Sequence, residues 1–178
     1  GSCIDMIERF NITDPRFQLA LPPSSPRKLS HTRTVVYTGY DREDGLWDIE
    51  AELTDIKPYT FQVPNERPFP ATEPIHGLSI RLTINDQMVI QDIATSMDNI
   101  PHTECASAPL GMHKLIGCAL GPGWRKAIQT HVGGTGGCTH LRELLFNMAT
   151  AAYQTLPSGL WQRRQDAGQP QPEVTKPP

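Results

Sequence analysis

The sequence predicts an α+β domain, and two observations lead to this prediction. Between residues 32 and 96, apolar side chains alternate with polar ones and β-branched residues are frequent, which is typical of strands. Beyond residue 97 this pattern stops, and apolar residues recur at helical spacing instead. Because the strands precede the helices along the chain, we predict a four-stranded antiparallel meander followed by helices packed on one face of the sheet.

Four strands are predicted within the first half of the chain. The first covers residues 32–40, and a turn over residues 41–45 leads to the second at 46–56. The other two cover residues 76–84 and 88–94. Apolar and acidic residues alternate along the second strand, so we interpret its carboxylates as a solvated face rather than a catalytic cluster. The acidic residues are Asp48, Glu50 and Glu52, and the apolar ones are Trp47, Ile49, Ala51 and Leu53.

The remaining segments are a long connection and three helices. Residues 57–75 contain five prolines, which predicts an irregular connection long enough to cover a site. Helices are predicted over residues 106–120, 124–131 and 139–156. The last of these has the clearest helical spacing, at Leu141, Leu144, Leu145, Met148, Ala149, Ala152 and Tyr153.

Length and composition predict one domain with a segment on either side. A chain of 178 residues with 38% apolar content can bury one core. We assign residues 1–30 to an N-terminal arm and residues 31–156 to a single α+β domain. Residues 157–178 form a proline- and glutamine-rich tail, which we expect to be largely disordered because it has little to bury.

Charge and hydropathy exclude several classes of partner. The net charge is −3, and lysine and arginine are scattered along the chain, so we expect no nucleic-acid partner. No apolar stretch approaches the ~20 residues that span a bilayer, so we expect no membrane partner and a cytoplasmic location. Four cysteines are too few for a disulfide scaffold and are expected to be reduced thiols. The oligomeric state is left open.

The most informative stretch is a glycine loop that leads to Cys138 and His140 at a predicted helix start. Unpaired amides at a helix start favour a thiolate or a bound anion. Cys138 and His140 are therefore candidate catalytic residues, as nucleophile and base. The candidate ligand-binding residues are Gly134, Gly136, Gly137, Trp124 and Arg125.

The same region offers ligands for a metal. Thiolate and imidazole bind zinc or iron, and the candidate ligands are Cys105, Cys138, His140 and His102. Two positions separated by one residue diverge by about 200° on a helix, so Cys138 and His140 need not face each other. His76 and His102 are the next candidates to complete the site. The competing interpretation is that Cys138 and Cys118 are small buried residues in a turn and a core.

Six short motifs occur in a fixed order along the chain. They are Asp44-Gly45-Leu46-Trp47-Asp48-Ile49-Glu50, Lys57-Pro58-Tyr59, His76 with Arg81-Leu82-Thr83-Ile84, Pro101-His102 with Cys105, Gly121-Pro122-Gly123-Trp124-Arg125, and Gly136-Gly137-Cys138-Thr139-His140-Leu141 with Glu143-Leu144-Leu145. From about Pro22 to Leu156, the chain resembles bacterial domain-of-unknown-function family 2889 (DUF2889). The resemblance implies no particular activity. The order of elements is also similar to NifU-type iron–sulfur scaffold proteins, with Cys105, Cys118, Cys138 and His140 at the ligand positions.

These features lead to one functional hypothesis and two alternatives. We expect a small-molecule-binding protein or enzyme of bacterial metabolism, with a Cys/His site, with or without a metal, where the helices meet the sheet. The first alternative is a non-catalytic protein that handles a metal or an iron–sulfur cluster. The second is a binding module whose thiols are structural. Serine-hydrolase, phosphate-loop, zincin and dinucleotide-binding motifs are absent from the sequence.

Overall fold

The computed structural model confirms the predicted fold class. It describes residues 21, 24–62, 64, 66–100, 103–134 and 137–170, with the backbone alone described for residues 103–108. Four antiparallel strands form one sheet, and they are β1 (Thr32–Asp41), β2 (Trp47–Ile56), β5 (Pro74–Ile84) and β6 (Ile90–Asn99). Their order in the sheet is β1-β2-β5-β6. The meander is interrupted between β2 and β5 by a short hairpin of β3 (Phe61–Gln62) and β4 (Pro68–Phe69).

The alternation predicted for β2 is present in the structure. Trp47, Ile49, Ala51 and Leu53 are each at most 1% exposed, whereas the side chains between them lie on the other face. The matching positions of β5, which are Leu78, Ile80, Leu82 and Ile84, are buried on the same side. This apolar face forms the core with the helices. The predicted solvated face is most open at Glu52, whereas the Asp48 side chain is 15% exposed and accepts hydrogen bonds from Thr83 and Arg42.

The helical half contains a 3₁₀ helix (Thr103–Leu115), α1 (Trp124–Val132) and α2 (Thr139–Asp166). The helix predicted over residues 106–120 is thus a 3₁₀ helix that begins earlier and ends at Leu115. Pro109 lies inside it. Proline lacks the amide that an α-helix needs in its interior and clashes with the preceding turn, which disfavours the α form here.

Helix α2 extends ten residues beyond the domain boundary predicted at Leu156. Its last turns are held by the sheet: a Cβ at Gly159 would overlap the Trp47 ring, and Arg163 Nε donates to Asp41 at 2.9 Å. These contacts outweigh the cost of Pro157 inside the helix. Residues 171–178 of the predicted tail and residues 1–20 of the predicted arm lie outside the described residues.

Helix α2 also lies very close to β1. A Cβ at Gly39 would overlap the Thr155 side chain, so glycine is required for this approach. The helix runs along the buried face of the sheet, and its N-terminus reaches the end at which β1 and β5 begin and β2 ends. In the part of the chain that is described, every helix is too short or too polar to cross a membrane.

Candidate functional site

The buried face of the sheet changes from apolar to polar at one end. In register, Arg33 on β1 lies opposite Asp55 on β2, which in turn lies opposite His76 on β5. Two residues further along each strand, the equivalent row is apolar and belongs to the core. Because side chains two residues apart share a face, the polar row points toward the helices rather than toward solvent. The site is therefore an extension of the core face.

Asp55 is the centre of this polar row. It is 3% exposed, and Arg33 donates to both of its carboxylate oxygens at 2.9 Å. His31 Nε2 donates to Asp55 Oδ1 at 2.7 Å. Burial raises the pKa of Asp55, but the hydrogen bonds from Arg33 and His31 outweigh burial and lower it to about 2. The carboxylate therefore stays ionised at neutral pH.

Arg33 connects the sheet to helix α2. Its Nη1 donates to Glu143 Oε2 at 2.8 Å, while its Nε and Nη2 bind Asp55. A guanidinium can bind two carboxylates in this way because its donors point in fixed directions. The three formal charges sum to −1, so the group as a whole remains favourable for a nearby cation.

His76 supplies a buried nitrogen with no hydrogen bond. Its Nδ1 lies 3.0 Å from Asp55 Oδ2, but the approach lacks the direction of a hydrogen bond, and no other described residue bonds to this atom. Burial, followed by the nearby His140, lowers the pKa of His76 despite the attraction of Asp55. His76 is thus held as neutral imidazole, the form that binds metals.

His140 brings the helix start to the same point. Its ring centroid lies 4.2 Å from that of His76, with 44° between the ring planes. His140 Nδ1 is also 3.9 Å from Cys138 Sγ. The divergence expected of two helical positions is not observed, because Cys138 is the N-cap residue and has an extended backbone. Cys138, His140, His76 and Asp55 consequently form a continuous series of contacts.

Cys138 is a half-buried free thiol that packs against the core. Burial raises its pKa, but the hydrogen bond with His140 and the amides of His140 and Leu141 have the larger combined effect, so its pKa lies below the ordinary value of 9.0. The environment of the helix start therefore favours thiolate chemistry at Cys138.

Three of these residues have the geometry of a possible metal site. One ligand atom each from Asp55, His76 and His140 lies within 4.8 Å of the other two. A zinc ion held at ~2.0–2.2 Å by nitrogen and oxygen places its ligands roughly 3–4 Å apart, so small side-chain rotations would suffice. Among the residues described, no other group of three or more potential ligands converges in this way.

A cavity of about 340 Å³ lies beside this cluster. Its lining combines basic, apolar and acidic side chains, namely His31, Arg33, Asp55, Lys57, Phe61, Ile75 and His76. Lys57 Nζ lies 5.0 Å from the centre of the Phe61 ring and 3.4 Å from the Tyr59 hydroxyl. The proline-containing connection after β2 thus supplies part of the cavity wall.

The structure separates two predicted ligand-binding residues from the cluster. Trp124 is 3% exposed, and its Nε1 donates to the Leu145 carbonyl at 2.8 Å inside the core. Arg125 lies over the Phe146 ring, 5.0 Å from its centre. Both contacts are made further along α2 than His140. These two residues consequently have packing roles that account for their positions.

The glycine loop has a local structural explanation. Gly134 has a positive φ of 77°, and a Cβ at Gly137 would overlap the Val132 carbonyl. Both glycines therefore serve the reversal between α1 and α2. Gly136 lies outside the described residues. Binding of a ligand by the loop amides stays a prediction.

The remaining predicted ligands are not placed at the cluster. His102 and the side chain of Cys105 lie outside the described residues. Cys118 is a free thiol packed against the core, in agreement with its predicted structural role. Its backbone carbonyl accepts a hydrogen bond from the Ile90 amide at 2.9 Å. A NifU-type ligand set that includes Cys105 and Cys118 therefore receives no support from the described residues.

Sequence reasoning missed four members of the site, which are Asp55, His31, Arg33 and Glu143. A signal for Asp55 was present, because it lies two residues after Leu53 and so shares the apolar face of β2. A carboxylate on the strand face whose other side chains are apolar indicates a buried acid with a partner. The partners themselves depend on strand register and on the position of α2, which a single sequence does not display.

The fold and the site together define an α+β domain with a buried histidine–carboxylate cluster at the end of its sheet. The family model described as "Protein of unknown function (DUF2889)" matches residues 31–154, and the chain belongs to this family. The matched region begins at His31 and includes all the residues of the cluster. No curated protein and no solved structure matches the chain.

Proposed function

We propose that this protein binds a divalent transition-metal ion through Asp55, His76 and His140, and that the ion binds or activates a small molecule in the adjacent cavity. The observation that carries the proposal is the convergence of three ligand atoms within 4.8 Å, one of them offered by a histidine with a buried, unbonded nitrogen. Zinc and iron are the metals that this donor set suits. The role is that of a small-molecule-binding protein or enzyme of bacterial metabolism.

The donor set favours an open site over a closed structural one. Structural zinc sites use four protein ligands, whereas two histidines and one carboxylate leave coordination positions for water or substrate. The neighbouring cavity provides the space for such a ligand. A metal in this position would polarise a bound oxygen or lower the pKa of a bound water.

The charges around the cluster also support a cation. Arg33 neutralises Asp55, but Glu143 adds a second carboxylate to the same guanidinium. The lowered pKa of His76 means that a metal would not have to displace a proton from this ring at neutral pH. Arg33 and His31 hold the Asp55 carboxylate in one orientation, as residues behind a metal ligand commonly do.

Metal analysis of the full chain tests this proposal. The protein is purified without a metal-affinity tag, and its zinc and iron are measured by elemental analysis before and after dialysis with each metal. We expect close to one ion per chain in the unaltered protein and at least a tenfold weaker affinity in His76→Ala and His140→Ala, in line with loss of a direct ligand. His113→Ala is the matched control, because His113 is exposed and bonds to the Leu110 carbonyl.

Two results would contradict the metal proposal. One is a protein that takes up neither metal at micromolar concentrations, and the other is full metal retention in both histidine variants. Circular dichroism and urea unfolding of each variant separate loss of a ligand from loss of the fold. A conservative Asp55→Asn variant adds a third measurement, since it keeps the volume of the side chain but removes its charge.

A second candidate function follows from the 3.9 Å distance between Cys138 Sγ and His140 Nδ1. These groups can act as nucleophile and base in covalent catalysis without a metal. The two functions differ in their response to chelation. If Cys138 is a nucleophile, metal-free protein stays active and Cys138→Ala is inactive. If the activity depends on a metal centre, metal-free protein is inactive.

A further inference from the structure

We infer that the ligand of the cavity beside Asp55 is a small organic anion, with a carboxylate or phosphate head and an apolar body. This inference rests on the proposed function for its location and adds the chemical class of the ligand. The charge and the polarity of the side chains in the cavity wall indicate which ligand would fit there.

The lining of the cavity has one more cationic side chain than carboxylates, because Glu143, the second acid bound to Arg33, is not part of this lining. Lys57 and Arg33 are cationic, whereas Asp55 is the one carboxylate in the described lining. The charge of Asp55 is matched by its bidentate contact with Arg33. Lys57 is then left as an uncompensated cation, since its described contacts are a tyrosine hydroxyl and two aromatic rings rather than an acid. A metal at the neighbouring cluster would add further positive charge.

Lys57 is held where it can meet a ligand. Its Nζ lies 5.5 Å from the centre of the Tyr59 ring and 5.0 Å from that of Phe61. Its backbone carbonyl accepts a hydrogen bond from the Thr72 amide at 2.8 Å. Both ends of the residue are therefore restrained, which lowers the entropy that an ammonium loses when it binds an anion.

The rest of the wall suits an apolar body. Ile75 is 6% exposed, and Phe61 presents an aromatic ring on the same cavity. A volume of about 340 Å³ lies at the lower end of the range for small-molecule sites. The combination of a cationic side and an apolar side selects an amphiphilic anion over a neutral or cationic molecule of the same size.

The experiment compares benzoate, phenyl phosphate and benzamide by isothermal titration calorimetry on the 178-residue chain, both metal-free and after incubation with metal. We expect one or both anions to bind, with benzamide at least about tenfold weaker, because it has the shape of benzoate without the charge. Binding of benzoate alone identifies a carboxylate ligand, and binding of phenyl phosphate alone identifies a phosphate ligand. Equal binding of benzamide and the anions would overturn the inference, as would failure of both anions to bind.

A matched pair of variants locates the binding. Lys57→Met keeps the length of the side chain and should weaken anion binding about tenfold, without changing the metal content. Lys126→Met, an exposed position on α1, should bind as the unaltered protein does. Anion binding unaffected by Lys57→Met would contradict the assigned site. If the chain binds no metal yet binds anions through Lys57, the metal proposal fails and the ligand class stands.

Discussion

The guanidinium of Arg33 binds both carboxylate oxygens of Asp55 across directly opposed positions of β1 and β2. The pair faces the core side of the sheet, and Asp55 is almost completely buried. Because a buried charge without a partner is costly, this contact stabilises the fold. It keeps Asp55 ionised and fixes the orientation that the proposed metal site needs.

Replacing Arg33 by Gln should destabilise the protein by about 3 kcal/mol, because the Asp55 carboxylate would remain buried and lose its bidentate partner. The free energy of unfolding in urea measures this effect. Arg81→Gln is the matched control, since Arg81 lies on the solvated face of the sheet and its closest acid, Glu50, is 3.8 Å away. A loss below 1 kcal/mol in Arg33→Gln would show that water or another group replaces the guanidinium.

The stability of the fold should fall in acid. The pKa of Asp55 is lowered from 3.8 to about 2 in the folded chain, so the unfolded chain binds a proton first as the pH decreases. Ionised Asp55 therefore contributes about 2 kcal/mol above pH 5, and this contribution is lost between about pH 4 and pH 2.

Urea unfolding from pH 7 to pH 2 measures this change. We expect the difference in stability between the unaltered protein and Asp55→Asn to shrink across the window, because the asparagine cannot titrate. A difference that stays constant down to pH 2 would contradict the assignment to Asp55.

In metal-free protein, Cys138 should react with iodoacetamide faster than Cys118 at pH 7. The lowered pKa of Cys138 provides more thiolate at this pH, through the contact with His140 and the amides of the helix start. Peptide mapping by mass spectrometry measures the rate at each cysteine separately. In His140→Ala, the midpoint of the pH–rate profile of Cys138 should move upward.

Cys118 is the internal reference for this measurement, because both thiols are half-buried and free. Equal rates at the two cysteines, or a midpoint that does not respond to His140→Ala, would remove the support for the thiol as a nucleophile.

Gly39→Ala should destabilise the protein by about 1–3 kcal/mol, the usual cost of inserting a methyl group into a packed contact. The added Cβ would overlap the Thr155 side chain on α2. Thermal or urea unfolding measures the loss. Combining Gly39→Ala with Thr155→Ala should recover part of it, since the overlapping hydroxyl and methyl groups are then absent. If the stability losses of the two single variants simply add in the double variant, the strain does not arise between Gly39 and Thr155.

Most of the fold could be predicted because the spacing of apolar residues within each strand or helix can be read from a short stretch of sequence. Trp47, Ile49, Ala51 and Leu53 predict a half-buried strand on their own, and the order of strands and helices predicts the packing on one face. The end of α2 could not be predicted in the same way. Pro157 and Gly159 locally disfavour a helix, and only the contacts of Gly159 with Trp47 and of Arg163 with Asp41 explain its continuation.

The site was partly predictable. The helix start identified Cys138 and His140, and His76 was a named candidate partner. Asp55 was missed because the interpretation of β2 considered the acids of its solvated face, Asp48, Glu50 and Glu52, and did not consider Asp55, which lies on the apolar face. The link from Asp55 to Arg33 and onward to Glu143 spans residues far apart in sequence. It depends on strand pairing and helix docking, which arise only in the assembled fold.

The glycine contact at Gly39 has a consequence for the distant end of α2. Thr155 and His140 lie on the same helix, fifteen residues and therefore about 22 Å apart. A continuous helix bends little over this length, so a change in its tilt at Thr155 also moves the His140 imidazole near its other end. Because Gly39 has no Cβ, the helix that carries His140 can lie close to the sheet that carries His76.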